Sequence, residues 1–126
     1  MKRTSIMSLP PPPVPAKLRE MLKDYPGHIK RLQEVLVRSV DRSRRLTLMP
    51  FDDAISALEG RLETFIFEAR DELKMAEASG DSLAIAEAKE KERLMEFSRS
   101  SNIGMADLDE LWEYIQRVWG DSNELS

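Results

Sequence analysis

The feature that most constrains this chain is a long run of apolar residues at helical spacing. Phe51, Ile55, Leu58, Leu62, Phe65, Ala69, Leu73 and Ala76 follow one another at intervals of 4, 3, 4, 3, 4, 4 and 3. That rhythm predicts one helix from Pro50 to Ser79, with the proline at its first turn, where a missing N–H costs nothing. At a rise of ~1.5 Å per residue such a helix is roughly 43 Å long. A compact globule of this chain length has a radius of gyration of only ~14 Å. The helix must therefore project from the body or be covered along its length by something else.

Gly80 suits the left-handed position that ends a helix, and Asp81 or Ser82 suits the cap of the next. The fourth helix, read as 82–100, has strong helix formers from Ala84 to Arg93 but a thin apolar stripe. Joined at Ser79-Gly80-Asp81, the two helices form a long antiparallel hairpin. On the N-terminal side, Pro15 opens a short helix with Leu18, Met21, Leu22 and Tyr25 on one face, ended by Pro26-Gly27. A second helix from about Gly27 carries Ile29, Leu32, Leu36 and Val40 and fades over 41–45. Thr47 to Met49 is a break. In the last helix Leu108, Leu111, Trp112, Ile115, Val118 and Trp119 share a face, and Gly120 reads as its end. There is no alternating strand pattern. The expected fold is all-α: a small bundle of about five helices with a long hairpin and an extended proline-rich arm. The expected organisation is an arm over 1–14, one helical domain over 15–120 and a polar tail over 121–126. Pro10–Pro13 and Pro15 favour polyproline II. Their PxxP spacing is common in proline runs, so the arm reads as a stiff spacer or a strap across a neighbouring helix, in preference to a ligand for another domain.

The composition removes several classes of chemistry. The chain of 126 residues has no cysteine, which excludes disulfides, thiolate metal sites and cysteine nucleophiles. No apolar run approaches the ~18 residues of a membrane span, and the first residues lack the apolar stretch of a secretory signal. The reading is a cytoplasmic protein without a membrane. Charge is distributed unevenly: residues 1–45 carry eleven Lys/Arg against four carboxylates, while the remainder carries eight against nineteen, for a net −4.

Catalysis by histidine would rest on His28 alone, which sits at a helix start with no serine or aspartate tied to it. Glu68/Asp71 and Glu87/Glu90 are carboxylate pairs at i, i+3, and the hairpin could bring them face to face around Mg²⁺. Their order is the reverse of the ExxE–ExxD arrangement of all-α nucleotide pyrophosphohydrolases, and solvated helix faces, including a Glu87–Lys91 pair, are the simpler reading. Lys30, Arg31, Arg38, Arg42, Arg44 and Arg45 form a basic stretch. These cations are spread around the helix, without aromatic residues for base stacking, and read as partners of acidic helices in the same chain or a second copy. Trp112 and Trp119, two turns apart, read as core.

These features point to a non-enzymatic protein-interaction module, without cofactor or metal, that self-associates as a dimer or binds a protein partner through its acidic hairpin. Phe65, Leu73, Leu83, Leu94 and Phe97 are the expected apolar anchors. Glu68, Glu72, Glu77, Glu87 and Glu90 are the expected steering carboxylates, which raise association rates more than affinity. The runner-up is a nucleic-acid-binding protein using the basic 30–45 segment, followed by a Mg-dependent all-α phosphohydrolase.

Overall fold

Five helices appear in chain order: α1 (Ala16–Met21), α2 (Pro26–Leu46), α3 (Pro50–Ser79), α4 (Ser82–Arg99) and α5 (Asp109–Leu125). The computed structural model describes residues 10–46 and 49–125, without the side chains of 45, 46 and 120–125. Among these residues there is no strand, and the fold is all-α. Residues 1–9 of the expected arm, and Thr47 and Leu48 of the expected break, lie outside the described residues.

The helix ends follow from local chemistry. Pro50 opens α3 behind Met49, and Asp52 and Asp53 occupy its first turn, where carboxylates meet the positive end of the helix dipole. Gly80 ends α3 at φ 74°, a left-handed conformation that costs a glycine little. The Asp81 carboxylate then accepts from the N–H groups of Leu83 (3.0 Å) and Ala84 (3.4 Å) and caps α4. The last helix departs from expectation: α5 continues through Gly120 to Leu125. A glycine stops a helix when it adopts positive φ, and among the described glycines Gly80 alone does so.

α3 is the spine. Ala54, Leu58, Leu62, Phe65 and Ala69 are its buried residues, facing Leu32 and Leu36 of α2, Met95 of α4 and Leu111 and Ile115 of α5 in one core cluster. Burial along α3 stops at Ala69, although the apolar rhythm continues to Ala76; Leu73 and Ala76 are only half-buried. The last turns of α3, beyond Glu72, thus leave the body, a projection of roughly 10 Å at helical rise.

The proline segment is a strap. Pro12, Val14 and Pro15 are buried, and the Tyr114 hydroxyl donates to the Pro10 carbonyl at 2.7 Å. The Gln33 side-chain amide donates to the Pro12 carbonyl. Prolines offer no N–H of their own, so these hydrogen bonds run to the carbonyls of the strap, while Val14 packs into the core cluster. Burial pushes the Tyr114 phenol above its ordinary pKa and keeps it a donor.

Candidate functional site

The hairpin is stitched by ion pairs near its base and is bare near its tip. Arg99 reaches Glu63 at 3.2 Å and Glu59 at 3.9 Å. Arg70 reaches Glu92 at 3.2 Å and Glu96 at 3.3 Å. Lys91 donates to both carboxylate oxygens of Glu72, at 2.9 and 3.2 Å, and its ammonium lies 5.1 Å from the Tyr25 ring centre. These contacts run from one helix to the other and hold α3 against α4 where the apolar stripe is thin. Beyond Glu72 and Lys91 there is no further cross-helix ion pair among the described residues.

Between Ala69 and Met95 no residue is buried. Small residues line the inner seam, with Ala76, Ala84 and Ala88 half-buried. On the outside, Met75 is 71% exposed and Leu83 68% exposed. Over residues 71–90 there are six carboxylates against two lysines. Glu77, Glu87 and Glu90 are exposed and make no ion pair among the described residues. Lys91, the expected partner of Glu87, is taken by Glu72 instead.

The other expected residues fall in different places. Phe65 is fully buried, with the His28 ring tilted against it at 4.2 Å and the Arg31 guanidinium 4.7 Å from its ring centre. It is a core residue and has no surface to offer a partner; its position four residues before Ala69 puts it where α3 is still inside the body. Leu94 packs half-buried against the core, whereas Phe97 is 45% exposed. Glu68 is held in a two-pronged pair with Arg31, at 2.9 and 2.8 Å, and this hydrogen bonding lowers the carboxyl pKa. The structure ties Glu68 to α2 and does not turn it toward Glu87 and Glu90. Among the described residues no group of three His, Asp or Glu converges as a metal site.

The basic stretch is divided. Arg31 is committed to Glu68, and Arg42 to Asp53 at 2.6 Å, an oxygen that also accepts from the buried Ser39 at 2.6 Å. Lys30, Arg38 and Arg44 are exposed, and the Arg45 side chain lies outside the described residues. His28 is wedged between Tyr25 and Phe65, and burial, aided by Lys91 and Arg31, lowers its pKa. Glu68 and Glu72 are near enough to oppose that shift, but among the described residues no side chain hydrogen-bonds the ring.

Besides a cavity of about 430 Å³ lined by Glu63, Ile66, Phe67, Arg70 and Arg99 between α3 and α4, two more border α3. One, of about 330 Å³, lies between α2 and α3 with Ser56, Ala57, Gly60 and Thr64 along its floor and Arg38, Arg42 and Arg61 around it. The other, of about 260 Å³, is lined by Met49, Phe51, Ile115, Trp112 and Trp119. Trp112 is 45% exposed and meets Phe51 edge-on at 4.9 Å, so this indole is not the core residue its spacing suggested. Tyr114, which sequence reasoning passed over, is the buried aromatic of α5. Its place at i+3 from Leu111 was the available signal.

Comparison with known proteins finds no family model, curated relative or solved structure that matches the chain. No helix among the described residues is long and apolar enough to cross a membrane.

Proposed function

We propose that this chain is a non-enzymatic protein-interaction module that docks through the distal part of its α3–α4 hairpin, by self-association or onto another protein. One observation carries the reading: between Ala69 and Met95 nothing is buried, while Met75 and Leu83 stand exposed among carboxylates that outnumber the lysines. An α-helical segment without a buried face gains little stability from its own fold. The tip therefore gains by covering its apolar residues against another surface. The carboxylates Glu77, Glu87 and Glu90 accelerate encounter with a basic surface and weaken as salt is added.

The test is sedimentation velocity of the whole chain over a wide concentration range, with a Met75→Lys/Leu83→Lys variant as control. The expected result is a mass that rises with concentration for the wild type and a monomer of unchanged thermal stability for the variant. A wild type that stays monomeric throughout, and that also forms no protein crosslink from a photoreactive residue at position 83 in cell extract, would overturn the reading.

A further inference from the structure

The cavity between α2 and α3 is a second surface with no intramolecular occupant. Three guanidinium groups, Arg38, Arg42 and Arg61, converge on it. Arg42 is occupied by Asp53, but Arg38 and Arg61 make no ion pair among the described residues. Five of the ten arginines whose side chains are described do: Arg19, Arg31, Arg42, Arg70 and Arg99 each reach a carboxylate. Arg61 is near enough to Glu68 to help lower its pKa, but with neither arginine in an ion pair the two give the trough a positive rim.

Its floor is open. A Cβ built at Gly60 would meet nothing within 4 Å. Packing within the chain therefore gives no reason for a glycine in the middle of α3, where glycine is otherwise a poor helix former. The floor from Ser56 to Thr64 runs about 12 Å at helical rise, close to the roughly 10 Å by which the hairpin leaves the body. Small side chains let another helix approach closely, and Val35 adds an apolar contact on the α2 side.

We infer that the trough receives the hairpin tip of a second copy of this chain, with Glu87 and Glu90 of one copy set against Arg38 and Arg61 of the other. This rests on the hairpin being the docking element proposed above. Charge complementarity selects the occupant: the tip carries six carboxylates against two lysines over residues 71–90, and Glu87 and Glu90, one turn apart on α4, match cations on both walls. Exchange of tips between two copies satisfies both surfaces at once and closes as a two-fold dimer. Nucleic acid fits the trough less well, because none of the residues lining it is aromatic and stacking platforms are what single strands require.

The experiment is charge exchange, read by sedimentation. Arg38→Glu/Arg61→Glu reverses the trough and Glu87→Arg/Glu90→Arg reverses the tip. Each variant alone is expected to lose at least about tenfold in association, and their equimolar mixture to regain it as a mixed dimer, because both contacts are then opposite in charge. Gly60→Leu supplies an uncharged check: it fills the floor, is expected to keep its helical signal and loses association. Three results would overturn the inference: a wild type that does not self-associate, trough variants that associate like wild type, or a mixture that is not rescued. Trough variants that associate normally while Met75→Lys/Leu83→Lys does not would remove the trough and leave the hairpin reading standing. Binding of duplex or single strands that Arg38→Glu/Arg61→Glu abolishes would assign the trough to nucleic acid instead.

Discussion

Two glycines with opposite surroundings offer a test of the packing. Gly104 lies in the loop between α4 and α5, buried against the end of α4, where its N–H donates to the Phe97 carbonyl at 3.0 Å. A Cβ at this position would fall 2.1 Å from the Ser98 carbonyl oxygen and 2.5 and 2.6 Å from Ser98 Cα and carbonyl carbon. Ordinary contact begins at 3.4 Å, so Gly104→Ala must move one stretch of backbone from another by about 1.3 Å, a forced overpacking of the kind that costs up to about 3 kcal/mol. Backbone on both sides leaves no flexible side chain to give way, so the upper end applies. For a chain of this size, that cost lowers the melting temperature by about 12 °C. Gly60→Ala enters open space in a helix interior and should raise stability by about 1 kcal/mol. Thermal melts and urea titrations followed by circular dichroism compare the two directly. A Gly104→Ala protein within about 0.5 kcal/mol of wild type would refute the packing of the 100–108 loop on α4.

Further predictions concern the core, the strap and acid. Phe65→Ala should cost about 3–5 kcal/mol as a buried cavity, whereas Leu83→Ala should stay within about 0.5 kcal/mol, as urea midpoints would show. Tyr114→Phe removes one hydrogen bond to the strap and should cost about 1 kcal/mol, with faster proteolysis near Pro10; unchanged stability and proteolysis would mean the strap is held elsewhere. His28 has a pKa below its ordinary 6.5 in the folded chain because burial disfavours the imidazolium. Its contribution is whole above pH 6.5 and is lost as pH falls toward the folded value, since the unfolded chain protonates first. Glu68 has a pKa below its ordinary 4.5 because Arg31 hydrogen-bonds its carboxylate, so its contribution is whole above that pH and lost below it. In stability measured against pH, His28→Gln should remove the loss that begins near 6.5 and Glu68→Gln the loss at lower pH. Curves that superimpose on wild type would contradict both assignments.

The helices were legible because their signals are local. The spacing from Phe51 to Ala76, Pro50 at one end and Gly80-Asp81 at the other place α3 and the hairpin turn without reference to the rest of the molecule. Gly120 misled because a glycine ends a helix only when its backbone turns left-handed, and nothing near it in sequence specifies that. Phe65 and Leu73 belong to the same apolar face, so periodicity could not separate the residue inside the body from the one beyond it. What separates them is where α2 and α5 stop covering α3, a property of the assembled bundle. The same holds for Trp112 and Tyr114, neighbours on α5 whose burial depends on the strap and on Phe51.

The charge pattern was legible only in part. Basic residues of the first third meet acidic residues of the remainder in Arg19–Glu110, Arg31–Glu68 and Arg42–Asp53. Sequence alone could not say which cations these pairs leave over. Arg38 and Arg61 lie on different helices, and Gly60 between them in space is an isolated glycine on paper. Only the packing of α2 on α3 makes one trough of them.

Amide hydrogen exchange on the full-length chain, dilute and concentrated, tests the central claim most directly. In dilute solution, residues 71–90 should exchange far faster than the core amides of 54–69, and they should slow in the concentrated sample as the tip becomes covered. A tip already protected to the level of the core when dilute, or one whose exchange ignores concentration, would contradict self-docking through this hairpin.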